Sequence, residues 1–182
     1  MRLRTKLLLF FLPLVLLSVA SMTQLARQVV QGIVEEQVAK RGISVAAGIA
    51  QDPDIVVGLW NRDEEWLIPP LQTVLRQTQA LYAAVLDPQG QVLAHTDVSE
   101  TGKVYSDSIT TVALRAERAL AQRSFVEGQP VVDIAFPMWD DQRAYAAEEF
   151  LLLGEDNFAG MRRLGTLRFA LPLTDAIETG RA

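Results

Sequence analysis

The chain has 182 residues, of which 49% are apolar and 21% charged, a composition typical of one globular domain with appendages. Its formal net charge is −5, and because Arg2, Arg4 and Lys6 all precede the first apolar run, the remainder is more acidic still, which argues against a nucleic-acid partner. Cysteine is absent and His95 is the only histidine, so disulfides, thiol catalysis, zinc–thiolate sites and multi-histidine metal sites are excluded.

Residues 1–23 are predicted to form a membrane anchor. No charged residue occurs between positions 7 and 26, and these 20 residues are long enough to span a hydrocarbon layer of roughly 30 Å. A cleaved signal peptide is the alternative, since Ser18-Val19-Ala20 places small residues at the two cleavage positions. Cations before the apolar run and Glu35-Glu36 after it place the N-terminus in the cytoplasm and the body outside, on the periplasmic side of the inner membrane.

Residues 24–50 have the pattern of a long amphipathic helix. Two i,i+4 series run side by side and form an apolar stripe on a polar surface; they are Leu25-Val29-Ile33 and Ala26-Val30-Val34-Val38. Two roles remain open for the stripe: formation of a homodimer, or cover for a sheet of the same chain.

Two shorter helices are predicted next, at residues 53–60 and 63–78. Asp52 can cap the first of them, with Pro53 in its first turn. In the second, Leu71, Val74 and Leu75 repeat at helical spacing, and the pair Pro69-Pro70 is expected to interrupt or restart the helix.

The segment 81–107 combines a β-hairpin with a polar loop. Residues 81–86 and 91–96 are rich in β-forming residues, and the tetrapeptide Asp87-Pro88-Gln89-Gly90 between them is a favourable turn sequence. Proline presets its φ angle, and Gly90 can adopt a positive φ at no steric cost. The loop 97–107 follows directly after His95 and Thr96.

The remaining chain is predicted to complete a sheet. A helix is possible within residues 113–120, and Glu127-Gly128-Gln129-Pro130 reads as the turn of a second hairpin. The other expected elements are strands at 123–126, 131–138 and 163–173, a helix at 143–152 inside the long segment 139–161, and a new helix from residue 174. The chain is therefore an α+β protein with a central antiparallel sheet of about five strands and its helices gathered on one side.

No catalytic constellation is present in the sequence. Phosphate-binding loops, dinucleotide-binding glycine patterns and nucleophile-elbow motifs are all missing. The paired carboxylates Asp140-Asp141 and Glu148-Glu149 are adjacent in sequence, so on a regular element the members of each pair point apart. The sequence thus predicts a protein that is not an enzyme and that carries no cofactor and no metal, and a secreted hydrolase is a remote alternative.

Several residues of the hairpin and loop suit the binding of a small anion or polar metabolite. His95 and Thr96 end the second strand, Lys103 lies in the loop, and Tyr82 and Trp139, together with Tyr105, could form aromatic walls. Structural roles compete with this interpretation: a turn hydrogen bond for His95, a solvated position for Lys103, and core packing for Tyr82 and Trp139.

The hairpin and loop resemble those of Cache domains, the PAS-like extracytoplasmic sensor domains of bacterial transmembrane receptors. The matching residues are Tyr82, Val85, Asp87, Gly90, Val92, His95, Thr96, Asp97, Gly102, Lys103 and Asp107. The strand sequence of residues 128–137 and that of residues 164–168 are also similar to the family. The chain departs from the pattern in the long segment 139–161, and it shows no clear second cluster of cations for a carboxylate.

The resemblance implies a single Cache-like sensor domain at residues 51–173, followed by the start of a connecting helix at 174–182. It implies the extracytoplasmic part of a receptor such as a histidine kinase, a cyclic-dinucleotide enzyme or a chemoreceptor, whose output domain this chain does not contain. In single-Cache carboxylate sensors, polar residues in this region contact the ligand, and His95, Thr96 and Lys103 occupy similar places. An organic acid or an amino acid is the implied ligand class.

Two hypotheses of different classes follow. The first is an extracytoplasmic sensor that binds a small ligand and relays the signal through the membrane-proximal helices. The alternative is a single-pass, membrane-anchored interaction module with no small ligand. Membrane attachment through residues 7–23 and a homodimer through residues 24–50 are expected in either case.

Overall fold

The computed structural model of the chain describes residues 3–140 and 161–173, and the helices and strands of these ranges follow one another in simple order. They are α1 (Leu3–Ala50), α2 (Pro53–Asn61), α3 (Glu64–Thr78), β1 (Tyr82–Leu86), β2 (Val92–His95), a 3₁₀ turn (Val98–Glu100), α4 (Ser108–Arg115), β3 (Leu120–Val126), β4 (Gln129–Trp139) and β5 (Arg163–Pro172). The chain separates into two units, residues 1–37 and residues 38–182.

The first unit contains the N-terminal part of α1, and α1 as a whole is one helix from Leu3 to Ala50. The side chains of Leu17, Val19 and Met22 are exposed. Within the described ranges, no helix combines the length and the apolar character that crossing a membrane requires, which differs from the anchor predicted for residues 7–23.

In the second unit, aspartate caps set the starts of α2 and α3. The Asp52 carboxylate accepts a hydrogen bond from the Asp54 amide at 3.0 Å, and the Asp63 carboxylate accepts one from the Glu65 amide at 3.0 Å. Both helices therefore begin close to where the sequence predicted. Contrary to expectation, α3 continues through Pro69-Pro70 without interruption, because its buried apolar face packs in the core and offsets the backbone hydrogen bonds that two prolines remove.

The five strands form one antiparallel sheet in the order β2-β1-β5-β4-β3. The α+β arrangement with a five-stranded antiparallel sheet is thus confirmed. The two hairpins, β1–β2 and β3–β4, lie on either side of β5, which is the last strand in sequence and the central strand in space. Across the junction, Tyr82 of β1 pairs with Ala170, and Asp133 of β4 pairs with the same residue from the other side.

The turn of the first hairpin is built as the sequence predicted. The Asp87 carboxylate accepts hydrogen bonds from the backbone amides of Gln89 and Gln91, both at 2.9 Å. Gly90 has a φ of 87°, and a Cβ atom there would lie 2.9 Å from the Tyr105 carbonyl oxygen, so the position suits glycine for two reasons.

The second hairpin is longer than predicted, and the helix before it begins earlier. Glu127 and Gly128, with φ angles of 50° and 82°, make a two-residue turn between Val126 and Gln129. The predicted helix at 113–120 is wrong in its bounds, since α4 ends at Arg115 and residues from Leu120 onward pair in β3. Cap chemistry at Asp107 starts the helix earlier, and tertiary pairing overrides the helical propensity of the later residues.

One face of the sheet packs on helices and forms the core. Side chains from α2, α3 and residues 38–50 of α1 cover the apolar face of the strands. The largest fully buried side chains of the resulting core include Phe136, Phe169, Ile134, Leu167, Leu67 and Leu71. Burial of each such side chain contributes about 1.5–3 kcal/mol. At Gly42 of α1, a Cβ atom would lie 2.8 Å from the Leu171 side chain and 2.9 Å from the Ile134 side chain, so side chains of β4 and β5 pack directly against the backbone of this helix.

Three predicted features lie outside the described residues. They are the helix at 143–152, the carboxylate pair Glu148-Glu149 and the helix from residue 174.

Candidate functional site

The opposite face of the sheet borders a cavity of about 720 Å³. Because side chains alternate on a strand, the residues between the core positions of β4 and β5 point to this side, and they include Asp133 and Arg168. The loop after β2 and the residues around the β3–β4 turn complete the wall. The polar lining residues are Tyr82, His95, Thr96, Asp97, Glu100, Tyr105, Asp107, Ser124, Glu127, Gln129, Asp133 and Arg168.

A buried ion pair forms the floor of the cavity. Arg168 and Asp133 are 7% and 1% exposed, and the guanidinium donates from Nε to Oδ1 at 2.9 Å and from Nη2 to Oδ2 at 3.0 Å. A third donor, Nη1, is bonded to the Thr110 hydroxyl. Burial acts to lower the pKa of Arg168, but the hydrogen bonds and charge of Asp133 outweigh it and raise the pKa. The Arg168 guanidinium therefore stays positively charged.

Tyr82 joins this ion pair to the histidine. Its hydroxyl donates to Asp133 Oδ2 at 2.7 Å, and its ring stacks on the His95 ring with 5.5 Å between centroids and 16° between planes. Burial, followed by the charge of Asp133, raises the pKa of Tyr82, so the phenol remains protonated. The side chain acts as a hydrogen-bond donor toward the floor and as an aromatic wall toward the cavity.

His95 bonds to the backbone of Asp97 through Nδ1. This nitrogen lies 2.8 Å from the Asp97 amide nitrogen and 3.1 Å from the Asp97 carbonyl oxygen, and the tautomer decides with which of the two it pairs. Burial lowers the pKa of His95 below 6.5, more than the Asp97 carbonyl and the Glu100 carboxylate raise it. The ring is consequently neutral near pH 7.

Thr96, Lys103 and Trp139 are the other three residues that the sequence predicted to contact a ligand, and each lies in different surroundings. Thr96 lines the cavity, and its hydroxyl oxygen accepts a hydrogen bond from the Ala83 amide at 3.1 Å. Lys103 is not in the cavity wall, and its Nζ donates to Glu100 Oε1 at 2.6 Å. Trp139 is 7% exposed at the end of β4 and packs with the core, away from the cavity. The structure thus brings together Tyr82, His95 and Thr96.

The loop is ordered by its own polar contacts. Glu100 accepts from the Tyr105 hydroxyl at 2.7 Å, in addition to its bond with Lys103, and these two bonds lower the pKa of its carboxyl. The Asp107 carboxylate accepts from the Thr110 amide at 2.9 Å and caps α4. Burial acts to raise the pKa of Asp107, but its bonds with Thr110 outweigh it and lower the pKa. Both carboxylates therefore stay ionised along the cavity.

Sequence reasoning missed the floor of the cavity. Arg168 and Asp133 each stand alone among apolar residues, in LRFALPL (167–173) and in VVDIAF (131–136). A charge at an inward position of a buried strand is rare unless it is paired, and two such charges of opposite sign are the signal that could have identified the pair.

Among residues 3–140 and 161–173, no group of three or more histidine, cysteine, aspartate or glutamate side chains is arranged to hold a metal ion. The lining of the cavity offers hydrogen-bonding groups, charges and aromatic faces. Such a set can bind and orient a small polar molecule.

Comparison with known families gives one match that covers most of the chain. The sequence model of "single cache domain 3" matches residues 28–147. A search of curated proteins found no significant match.

Solved structures with the same fold are sensor domains. The Escherichia coli DcuS sensor domain is similar with a TM-score of 0.61 and 16% identity, over 82% of this chain and 99% of that one. The sensor domain of the Vibrio cholerae histidine kinase DctB has a TM-score of 0.53 and 18% identity, and the match covers 87% of this chain and 59% of that one. The ligand-binding domain of the Campylobacter jejuni chemoreceptor Tlp3, in complex with L-valine, has a TM-score of 0.51 and 16% identity. This match covers 87% of this chain and 63% of that one. In these last two cases the chain spans about three fifths of the neighbour's length.

Proposed function

The chain belongs to the single cache domain 3 family, and we propose from this premise that it is the extracytoplasmic sensing part of a bacterial membrane receptor. In this proposal the domain binds a small ligand and performs no catalysis. The fold it shares with sensor domains of histidine kinases and chemoreceptors supports a ligand-sensing role.

The cavity on the sheet face is the observation that carries the proposal. Its volume of about 720 Å³ falls in the range of small-molecule sites. His95, Thr96 and Tyr82 are proposed as ligand contacts, with Arg168 at the floor. An amino acid or an organic acid is the proposed ligand class, and the L-valine complex of Tlp3 supports including amino acids.

Strand β5 offers a route for the signal. Arg168 lies on its cavity side, and three residues later Leu171 packs on its helix side, where Gly42 of α1 comes close. A ligand that prefers one position of Arg168 could shift the strand and so the packing of α1. Such a shift requires only that the ligand bind one of two states more tightly.

Membrane attachment and dimerisation complete the proposal. The uncharged residues from position 7 to position 26, with three cations before them, support an anchor at 7–23 with a cytoplasmic N-terminus. Cell fractionation with alkaline extraction tests the anchor, and release of the full chain into the soluble fraction would refute it.

The apolar stripe of residues 24–50 supports a homodimer. In analytical ultracentrifugation, Ile33→Lys should weaken the dimer, whereas Gln24→Lys, a matched change at an exposed position outside the stripe, should not.

The experiment that tests sensing is a ligand screen on the purified full chain in mild detergent. Amino acids and organic acids are added at millimolar concentration, and unfolding is followed by tryptophan fluorescence. A ligand should raise the melting temperature in a concentration-dependent manner, since it binds the folded state alone. His95→Ala should abolish the shift, and Lys103→Ala, outside the cavity wall, serves as the control.

A screen without any positive compound would contradict the sensing proposal. If the chain then still forms a dimer at micromolar concentration, the alternative of an interaction module without a small ligand gains support.

A further inference from the structure

The charges around the cavity are unequal. Among the described residues that line it, five carry carboxylates, and one, Arg168, carries a permanent positive charge. The carboxylates belong to Asp97, Glu100, Asp107, Glu127 and Asp133.

The single guanidinium is already neutralised. Asp133 binds it with both oxygens, so an incoming carboxylate would have to displace Asp133 or share a cation with it. Lys103 lies outside the wall and donates to Glu100. An anionic ligand would thus enter a region of surplus negative charge, where like charges repel.

Three of the other carboxylates, those of Asp97, Glu100 and Asp107, have lowered pKa values and are ionised at neutral pH. Hydrogen bonds from Ser99 lower the pKa of Asp97, and bonds from Lys103 and Tyr105 lower that of Glu100. Asp107 behaves in the same way through Thr110. The negative field at the wall is therefore present under physiological conditions.

Aromatic and imidazole groups face the same space. Tyr82, Tyr105 and Phe125 belong to the lining, and aromatic faces attract cations. His95 lines the same cavity and stacks on Tyr82, while its Nδ1 bonds to the backbone of Asp97. The lining therefore offers aromatic faces that favour a cation.

From this arrangement we infer that the cavity selects ligands that carry an ammonium group, such as small organic amines and amino compounds, over dicarboxylates. The inference rests on the proposed function, because it takes the cavity to be the sensory site. It narrows the ligand class to compounds whose positive charge complements the carboxylates of the lining.

Matched pairs of probes test the preference. Isothermal titration of the full chain in mild detergent uses 1,4-diaminobutane against succinate, 1,6-diaminohexane against adipate, L-lysine against L-glutamate, and spermidine against citrate. The cationic member should bind the more tightly in at least one pair, and no anionic member should bind the more tightly in any. Its affinity should fall as salt is raised, because screening weakens the attraction.

Two variants locate the effect. Glu127→Gln removes one wall charge, and Glu117→Gln makes the same change at an exposed position outside the lining. Glu127→Gln should weaken cation binding about two- to fivefold, as expected for one partly exposed charge, and Glu117→Gln should leave it unchanged.

Tighter binding of an anionic member, equal effects of the two variants, or no binding by any ammonium compound would each overturn the inference. The sensing function itself would survive the first two outcomes, and also the third if a neutral or anionic compound raised the melting temperature. The two proposals therefore fail separately.

Discussion

Asp133 and Arg168 are diagonal neighbours on one face of the sheet. Asp133 pairs with Ala170 and Arg168 pairs with Ala135, so the two side chains are offset by two positions between adjacent central strands. At this spacing a long side chain can reach its neighbour, and the guanidinium contacts both carboxylate oxygens. The register of β4 on β5 therefore determines the ion pair at the floor of the cavity.

Replacing Arg168 should be strongly destabilising. Arg168→Met leaves the Asp133 carboxylate buried without its cation, at a cost of about 3–5 kcal/mol in the free energy of unfolding. The double variant Arg168→Met/Asp133→Leu removes both charges and should recover part of that loss. Urea denaturation of Arg168→Met, of Asp133→Leu and of the double variant gives the three values that the comparison needs. A double variant that loses the sum of the two single effects would show that the pair does not interact.

The stability of the protein should depend on pH through His95. Burial lowers its pKa in the folded state, so as pH falls below about 6.5 the unfolded chain takes up a proton that the folded chain does not, and stability decreases. The carboxyl groups of Asp97 and Glu100 have lowered pKa values and titrate at more acidic pH. They therefore do not contribute to the change in stability just below pH 6.5.

His95→Asn provides the comparison for that effect, because its side-chain oxygen can still accept from the Asp97 amide. Urea denaturation at about pH 7.5 and about pH 5.5 should show a smaller difference in the variant than in the natural chain. Equal differences would assign the pH dependence to other groups.

Substitution of glycine by alanine should have opposite effects on stability at two positions. At Gly165 a Cβ atom would lie 2.5 Å from the Leu86 carbonyl oxygen, so Gly165→Ala should destabilise by about 1–3 kcal/mol. At Gly48 in α1 nothing lies within 4 Å, and Gly48→Ala should stabilise by about 0.5–1 kcal/mol. Thermal unfolding followed by circular dichroism tests both. A tolerated alanine at position 165 would contradict the close approach of β5 to β1.

The cap of α4 should matter through its acceptor and not its charge. Asp107→Ala removes the oxygen that accepts from the Thr110 amide and should cost about 0.5–2 kcal/mol. Asp107→Asn keeps an oxygen at the same position and should cost less. Urea denaturation compares the two variants, and equal losses would mean that the cap contributes little.

Local signals in the sequence predicted most of the fold. The turn residues Asp87 and Gly90 act within four positions of each other, so their effect can be read from sequence, and the same holds for the caps Asp52 and Asp63. The bounds of α4 were less predictable, since pairing with β4 decided where β3 begins.

The candidate site was predicted only in part. His95 and Thr96 were found because they end a recognisable hairpin, while Arg168 was not, because its partner lies 35 residues away and only strand register brings the two together. Lys103 looked available in sequence, but Glu100, three residues before it, holds its ammonium group.

The position of β5 has a consequence for synthesis. Both hairpins leave the ribosome before the strand that joins them, so the facing edges of β1 and β4 have no partner until the chain has been made as far as Pro172. Unpaired edges invite aggregation, and pairings between distant segments form slowly. The chain therefore carries two unpaired strand edges until residues 163–172 are available, and removal of β5 would leave two separate hairpins in place of a sheet.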